Sequence, residues 1–444
     1  MDGSFWQGSS TPVETAFPRL GTVPDVPTAP EPDLDVLVVG AGPAGIAAAL
    51  TAHARGLRTA CLDRATFPRD KTCGDGLTAS ALRLLEELGV GVPGIASTQP
   101  VTTVVLRGPN GRISELPLPR DGHHAVVTTR LDLDAALVDR ARAVGVTVLE
   151  GQAVTGIDIA RSVVTIERDD GHRPSARYVI AADGHYSSVR RLTAPEPDRD
   201  LGSWHAFRQY FSGVDDDRLW VLFEADLLPG YAWVFPLPGG RANVGFGVLR
   251  DDCTSGKQLG ALWRDLLDRP ALRDVLGPRA EPEAPHRAWP IPASFDPRRA
   301  TAGRVLFAGD AAGVVDPMTG EGIAQALESG ILAARAIADG IAEGRPVAAV
   351  DATYRRTVDR ALGRDLRLAH RLQFLLRKPA SATAVLALVD AASWTRRNFA
   401  RWMFEDYPRA LAITPDRWRR GVFTPPGAFS AGSVSAGAHA GAAS

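Results

Sequence analysis

The chain is poor in cysteine and has no long apolar run. Its three cysteines, Cys61, Cys73 and Cys253, are too few and too scattered for a disulfide framework or a metal-ligand cluster. No metal is expected, and the usage suits a reducing cytoplasm. No stretch reaches the ~18 consecutive apolar residues of a membrane-spanning helix. No basic-then-apolar leader pattern opens the chain. Net charge is −1 over 444 residues, so no bulk cationic field points to a nucleic-acid partner. Lysine is confined to Lys71, Lys257 and Lys378. No internal repeat is present. Cytoplasmic localisation is the expectation.

What is present is a globular composition, 45% hydrophobic and 23% charged, long enough for two or three domains. The ends are different. Residues 1–32 and 424–444 are rich in small residues and proline without periodicity, and read as disordered tails.

The segment Asp33–Asp63 organises the rest. Leu34–Val39 is an apolar run, as a strand buried on both faces should be. It enters Gly40-Ala-Gly42-Pro-Ala44-Gly45, followed by an Ala-rich helix that stops at Gly56 and a second strand, Thr59–Leu62, ending in Asp63. This is the dinucleotide-binding βαβ pattern. Gly40 permits the tight turn, Gly42 lets a pyrophosphate approach the backbone, and Gly45 lets helix and strand pack closely. The helix N-terminus offers free N–H groups to phosphates. Asp63, 18 residues after Gly45, suits a ribose hydroxyl.

Further elements follow in order. Thr78 or Ser80 is expected to cap a helix running to Leu88. The polar, glycine-rich loop before it, Phe67–Gly76, holds Cys73 among glycines, either as a small loop residue or as a thiol lining a cofactor or substrate cavity. Val101–Leu106 and Ile113–Leu118 read as a hairpin. Arg130 precedes a helix with Asp132 or Asp134 in its first turn, and is either a surface charge or a cofactor contact. The strand Tyr178–Ala182 ends in Asp183-Gly184. Residues 201–292 are aromatic and alternating, which predicts an antiparallel sheet covering a substrate. The strand Val305–Ala308 ends in Gly309-Asp310, and the loop through Pro317 and Gly320-Glu-Gly322 opens a long helix to about Gly340. Residues 346–422 read as helical. Within them, Trp394–Trp418 mixes basic and aromatic residues, the composition of a core-packed helix or of a membrane-surface patch. Core packing is the expectation.

Three separated motifs thus stand together: Gly40/Gly42/Gly45 with Asp63, Asp183-Gly184, and Gly303–Gly322 around Gly309-Asp310. The set resembles the class A flavoprotein monooxygenase superfamily, with its p-hydroxybenzoate-hydroxylase-like fold, over residues 34–345. The resemblance implies an α/β plus antiparallel-sheet architecture. A Rossmann-like FAD-binding domain (33–100, 125–200, 296–345) would be interleaved with a mixed substrate domain (101–124, 201–295). A C-terminal helical region (346–423) would follow. It implies FAD on the first βαβ unit, with Ala44, Arg64 and Lys71 among the cofactor-binding residues. Asp310 would meet the ribityl or ribose portion, Asp183-Gly184 the pyrophosphate, and Arg130 the cofactor. The Gly320–Gly322 backbone and Ile323 would face the flavin, with Pro317 against its ring.

Two more motifs look like the geranylgeranyl reductase branch, including menaquinone-side-chain reductases. One is Lys71-Thr-Cys73-Gly74-Asp75-Gly76-Leu77-Thr78, where the branch often has Cys-Gly-Gly. The other is Tyr231-x-Trp233-x-Phe235-Pro236, followed by Gly245-x-Gly247. In the branch the aromatic motif shapes an isoprenoid pocket and the cysteine lies beside the substrate. The similarity therefore implies Tyr231, Trp233, Phe235 and Gly76 at the pocket and Cys73 beside the substrate as the candidate catalytic residue, with the proton expected from the Cys73 thiol or an ordered water. The expected activity is alkene reduction in a prenyl chain by hydride from reduced FAD. The alternative is a monooxygenase or epoxidase on the same fold. The Trp-x-Trp-x-Ile-Pro motif of the flavin-dependent halogenases is absent. With one full dinucleotide motif, the reductant is expected to be NAD(P)H in transient contact or a reduced electron-carrier protein. The substrate is expected to be lipophilic, with peripheral membrane contact as the accompanying expectation.

Overall fold

Five parallel strands carry the nucleotide-binding half of this computed structural model, which describes residues 32–118, 124–194, 202–250 and 256–404. The expected tails (Pro32 aside), Cys253 and the 405–418 part of the basic–aromatic stretch lie outside the described residues. The strand order is Val305–Phe307, Ser175–Ala181, Leu34–Val39, Thr59–Leu62, Thr147–Leu149, all parallel. Val36, Leu37, Val38, Val179 and Ile180 are essentially solvent-free, as the unbroken apolar runs require. Parallel strands share one carboxyl edge. Gly40, Asp63, Asp183 and Gly309-Asp310 each follow a strand at that edge, so the topology alone brings three distant motifs together.

Two helices, Pro43–Ala54 and Ile323–Ala342, cross on one face of this sheet. Their contact is made of small residues. A Cβ on Gly330 would lie 2.1 Å from the Ala44 carbonyl oxygen. Gly45 is equally constrained: its Cβ would fall 1.7 Å from the Gly40 oxygen.

The second sheet is mostly antiparallel. It joins Trp204–Ser212, Leu219–Leu222, Tyr231–Leu237 and Arg241–Leu249 to the hairpin Thr103–Arg107/Ile113–Pro117. Among the described residues only Leu219–Leu222 against Thr103–Arg107 is a parallel pairing in this sheet. Two helices not expected from the aromatic pattern, Gly256–Asp268 and Pro270–Leu276, bury Trp263, Leu259 and Leu272 against this sheet. A three-stranded sheet, Gly76–Thr78, Ala125–Val127 and Gln99–Pro100, is built beside the loop that carries Cys73.

The expected side-chain cap at residue 78 is not made. The helix starts at Ala79, but Thr78 Oγ1 donates to Glu321 Oε1 at 2.5 Å instead of capping it. Tertiary pairing has outcompeted the local cap. Arg130 does not precede its helix but is its first residue, behind Thr129, whose hydroxyl accepts the Asp132 N–H. The C-terminal region is helical: Val347–Val358, a short π turn, Arg364–Leu375, Pro379–Val389 and Ser393–Phe404. Among the described residues no single helix is long and apolar enough to cross a membrane.

Candidate functional site

A cavity of about 920 Å³ lies between the carboxyl edge of the parallel sheet and the antiparallel sheet. Nearly every residue singled out in the sequence lines it: Gly40, Gly42, Ala44, Asp63, Arg64, Lys71, Cys73, Gly76, Arg130, Asp183, Gly184, Tyr231, Trp233, Phe235, Gly309, Asp310, Gly320, Gly322 and Ile323. Two do not. Gly45 is a packing residue beneath the turn, as its role demands. Pro317 is buried behind the wall, with its carbonyl accepting from Gln373 Nε2 at 3.0 Å. Val315 and Met318 line the cavity at that point in its place.

At one end the cavity is a cradle for a nucleotide. Gly40 takes φ +100°, and a Cβ there would lie 2.3 Å from the Ala182 oxygen, so a side chain is excluded. Asp63 is buried. Its Oδ2 accepts the Ala41 N–H at 2.7 Å and its Oδ1 the Ala65 N–H at 2.8 Å, which fixes the glycine turn as well as presenting a carboxylate. The helix N-termini at Gly42 and Gly322 have no side-chain cap, so their N–H groups remain available to an anion. A Cβ on Gly42 would point toward Arg69 Nη2 (3.5 Å) and Arg130 Nη2 (3.7 Å).

Those two arginines share Asp134. Arg130 meets it bidentately at 2.8 and 2.7 Å, and Arg69 at 3.0 Å. Two cations on one carboxylate leave net positive charge beside the glycine turn. Lys71 Nζ pairs with Asp310 Oδ2 at 2.8 Å. Burial alone would raise the Asp310 carboxyl; Lys71, helped by Arg130, holds it below the ordinary range. Asp183 Oδ2 accepts the Val189 N–H at 3.2 Å, so this acid also anchors the helix Ser188–Thr193. A glycine turn without side chains, two uncapped helix starts and a cationic flank fit a dinucleotide. These residues would hold FAD.

The other end is aromatic. Residues 231, 233 and 235 alternate on one face of their strand. Tyr231 and Trp233 rings are 6.0 Å apart at 61°, and Trp233 and Phe235 are 6.0 Å apart at 38°. Directly opposite them on the next strand stand Gly247, Gly245 and Asn243. Gly245 is obligatory: its Cβ would lie 2.4 Å from the Trp233 ring. The Tyr231 hydroxyl donates to the Thr319 carbonyl, joining the aromatic strand to the Gly320–Gly322 loop. The Cys73 loop packs against the rings, with would-be Cβ atoms of Gly74 and Gly76 at 3.5 and 3.4 Å from Phe235.

Cys73 therefore stands between cradle and aromatic wall. Burial raises its thiol, the Asp75 carboxylate raises it further, and Arg130 and Lys71 oppose both without reversing the direction. It is a protonated thiol at neutral pH. Asp75 and Asn243, both fully buried, and the half-buried Tyr210 form a polar cluster behind it that sequence patterns did not single out. The only signal available was the departure from Cys-Gly-Gly, an acid placed between two glycines.

Fold and cradle together define an FAD-dependent oxidoreductase of the hydroxylase-like architecture. The FAD binding domain family matches residues 33–211. The chain is 35% identical to the menaquinone reductase of Mycobacterium tuberculosis over 68% of its own length and 75% of that protein. It is 32% identical to digeranylgeranylglycerophospholipid reductase 2 of Methanopyrus kandleri over 76% of its length and 85% of that protein. The chain belongs to the geranylgeranyl reductase family. In architecture it resembles a geranylgeranyl bacteriochlorophyll reductase-like protein of Thermoplasma acidophilum, with TM-score 0.72, 24% identity and coverage of 86% and 98% of the two chains.

Proposed function

We propose that this enzyme reduces carbon–carbon double bonds of a prenyl chain carried by a menaquinone-type or geranylgeranyl lipid. The observation that carries the reading is the sharing of one cavity by the nucleotide cradle, the Cys73 thiol and the Tyr231–Trp233–Phe235 wall. The names of the relatives support the same substrate class. Reduced FAD, when bound, supplies a hydride to one alkene carbon. The protein's part is position and proton. Isolated alkenes accept hydride poorly, so holding the chain in register in a dry slot supplies much of the rate. The three rings exclude water and give the prenyl chain apolar contact. Cys73 Sγ–H is the proton donor to the second carbon. The reducing equivalents come from NAD(P)H in transient contact or from a reduced carrier protein, since the sequence holds one full dinucleotide motif.

We infer an FAD-binding domain of residues 33–100, 125–200 and 296–345 interleaved with a substrate domain of residues 101–124 and 201–295. Sheet membership supports it. Strands from 34–62, 147–181 and 301–307 share one sheet, and strands from 103–117 and 204–291 share the other.

We also infer peripheral contact with a membrane. Phe374, Leu388 and Trp394 are 67%, 69% and 72% exposed on consecutive helices, and Leu375, Val385 and Leu388 also line the cavity. Over residues 371–404 the charges are Arg371, Arg377, Lys378, Arg396, Arg397 and Arg401 against Asp390. An apolar, cationic rim on a lipid-binding cavity suits an anionic bilayer surface.

Turnover tests the central reading. The purified yellow protein is given a menaquinone or geranylgeranyl lipid, anaerobically and then in air, and the product mass is read. A gain of two hydrogens without oxygen upholds the reductase reading. A gain of one oxygen atom, only in air, overturns it.

A further inference from the structure

The loop that carries Cys73 holds a second titratable group. Asp75 is completely buried, and it is the only non-glycine residue with a left-handed backbone among the described residues, at φ +66°. That conformation costs on the order of 1 kcal/mol even for aspartate. Contacts from several sides hold it. Thr128 N–H donates to the Asp75 carbonyl at 3.0 Å. Tyr210 Oη donates to Asp75 Oδ2 at 2.6 Å, and Asn243 Nδ2 donates to the same oxygen at 2.7 Å. Tyr210 and Asn243 are cross-strand partners, so sheet register delivers both donors to one point. Asp75 Oδ1 is sealed from solvent and has no hydrogen-bond partner among the described residues. A buried carboxylate with one oxygen unpaired is costly, and protonation relieves the charge part of that cost.

Asn243 extends the cluster to the chemistry. Its Nδ2 also donates to the Cys73 carbonyl at 2.8 Å, and its Oδ1 accepts from Trp233 Nε1 at 2.9 Å. One amide thus ties the aromatic wall, the Cys73 backbone and the Asp75 carboxyl into a unit. The charged groups facing Asp75 are Arg208, whose guanidinium lies 4.0 Å from the Tyr210 ring centre, and Arg130 from the helix Arg130–Ala143. Burial outweighs these cations and both donors, and pushes the carboxyl up to about 6. The thiol in turn faces Asp75, Arg130 and Lys71.

We propose that Asp75 is the positioning acid behind Cys73: clamped by Tyr210 and Asn243, its carboxyl keeps the Cys73 sulfur protonated and restores the proton after each turnover. The proposal rests on the reading of Cys73 as the proton donor. The Cys73 S–H bond breaks and its proton forms the C–H bond at the alkene carbon that has not received hydride, the electron pair staying on sulfur. The Asp75 O–H bond then breaks and its proton passes to the thiolate. Between turnovers the carboxylate is re-protonated by water that enters the cavity which Asp75 lines. Neither residue changes oxidation state, and the transfer from carboxyl to thiolate runs downhill.

Asp75→Asn tests it. Asparagine tolerates the left-handed backbone and keeps an oxygen for Tyr210 and Asn243. In the oxidised, substrate-free holoprotein, iodoacetamide labelling of the Cys73 peptide is followed against pH by mass spectrometry. Loss of the neighbouring negative charge lowers the labelling midpoint by about one pH unit; coincident curves overturn the coupling. In turnover, wild-type kcat falls as pH rises through about 6, and the variant loses that limb with KM unchanged. A retained limb overturns the proton-return role. Tyr210→Phe, which removes a donor to the carboxylate but keeps Asp75, moves the limb to higher pH; an unmoved limb counts against the assignment. If Cys73→Ser turns over normally while labelling still shifts in Asp75→Asn, the coupling is upheld and the proton-return role falls with the donor reading.

Discussion

Lys71 Nζ sits 2.8 Å from Asp310 Oδ2 and so joins the Cys73 loop to the carboxyl edge of the parallel sheet, 239 residues away in sequence. The pair is partly buried, and it neutralises an acid that would otherwise face an anionic cofactor. Lys71→Met leaves that acid uncompensated. The FAD dissociation constant rises about tenfold, by the loss of one charge-assisted contact. Lys71→Met/Asp310→Asn recovers part of the affinity. Flavin fluorescence titration of the single and double variants measures the coupling.

The two inner glycines of the nucleotide turn fail in different ways. Gly42→Glu has room for its Cβ, 3.5 Å from its nearest neighbour, so the protein folds with its melting temperature preserved in the apo form. Its side chain fills the cradle, and the purified protein is colourless. A yellow, FAD-saturated Gly42→Glu protein would refute the cradle. Gly45→Ala forces a Cβ to 1.7 Å from a carbonyl oxygen and yields little soluble protein.

Cys73→Ser keeps the volume of the loop and binds FAD normally. It lacks the thiol proton and slows alkene reduction by about 10²-fold. Flavin absorbance and product mass read the two effects separately. Unchanged turnover would make Cys73 a spacer.

Asp75 gives stability a pH dependence of defined sign. Its folded carboxyl is raised to about 6 from an ordinary 3.8. Its stabilising contribution is complete below the unfolded value and is lost as pH rises through about 6. Asparagine does not titrate. The stability of Asp75→Asn relative to wild type therefore improves between pH 4 and pH 7, by at most about 3 kcal/mol at ~1.4 kcal/mol per unit. Urea unfolding at the two pH values checks this, with the pH-independent cost of the substitution cancelling in the difference.

Phe374→Glu and Trp394→Glu remove exposed rings that do not line the cavity. Both lower co-sedimentation with anionic phospholipid vesicles, by about tenfold together. Turnover of detergent-solubilised substrate is retained. Equal vesicle binding by wild type and double variant would remove the membrane surface assigned to these helices.

The nucleotide half was legible from local patterns. Unbroken apolar runs, glycines at fixed offsets and terminal acids are local patterns, and each maps onto one strand, one turn or one helix start. Leu34–Val39, Gly40–Gly45 and Asp63 needed no partner to be legible. The aromatic strand was legible too, because period-2 alternation is written in three residues. The pairings across distance were set by the packing of elements far apart in the chain. Thr78 gave up its helix cap for Glu321. Pro317 went behind the wall, with Gln373 taking its carbonyl. Arg130 met Asp134 as well as the cavity. Asp75 gained its character from Tyr210 and Asn243, 135 and 168 residues away. A carboxyl's proton affinity depends on burial and on donors delivered by sheet register. Neither is encoded in the four residues Cys-Gly-Asp-Gly, and both arise only when two sheets close on the loop between them.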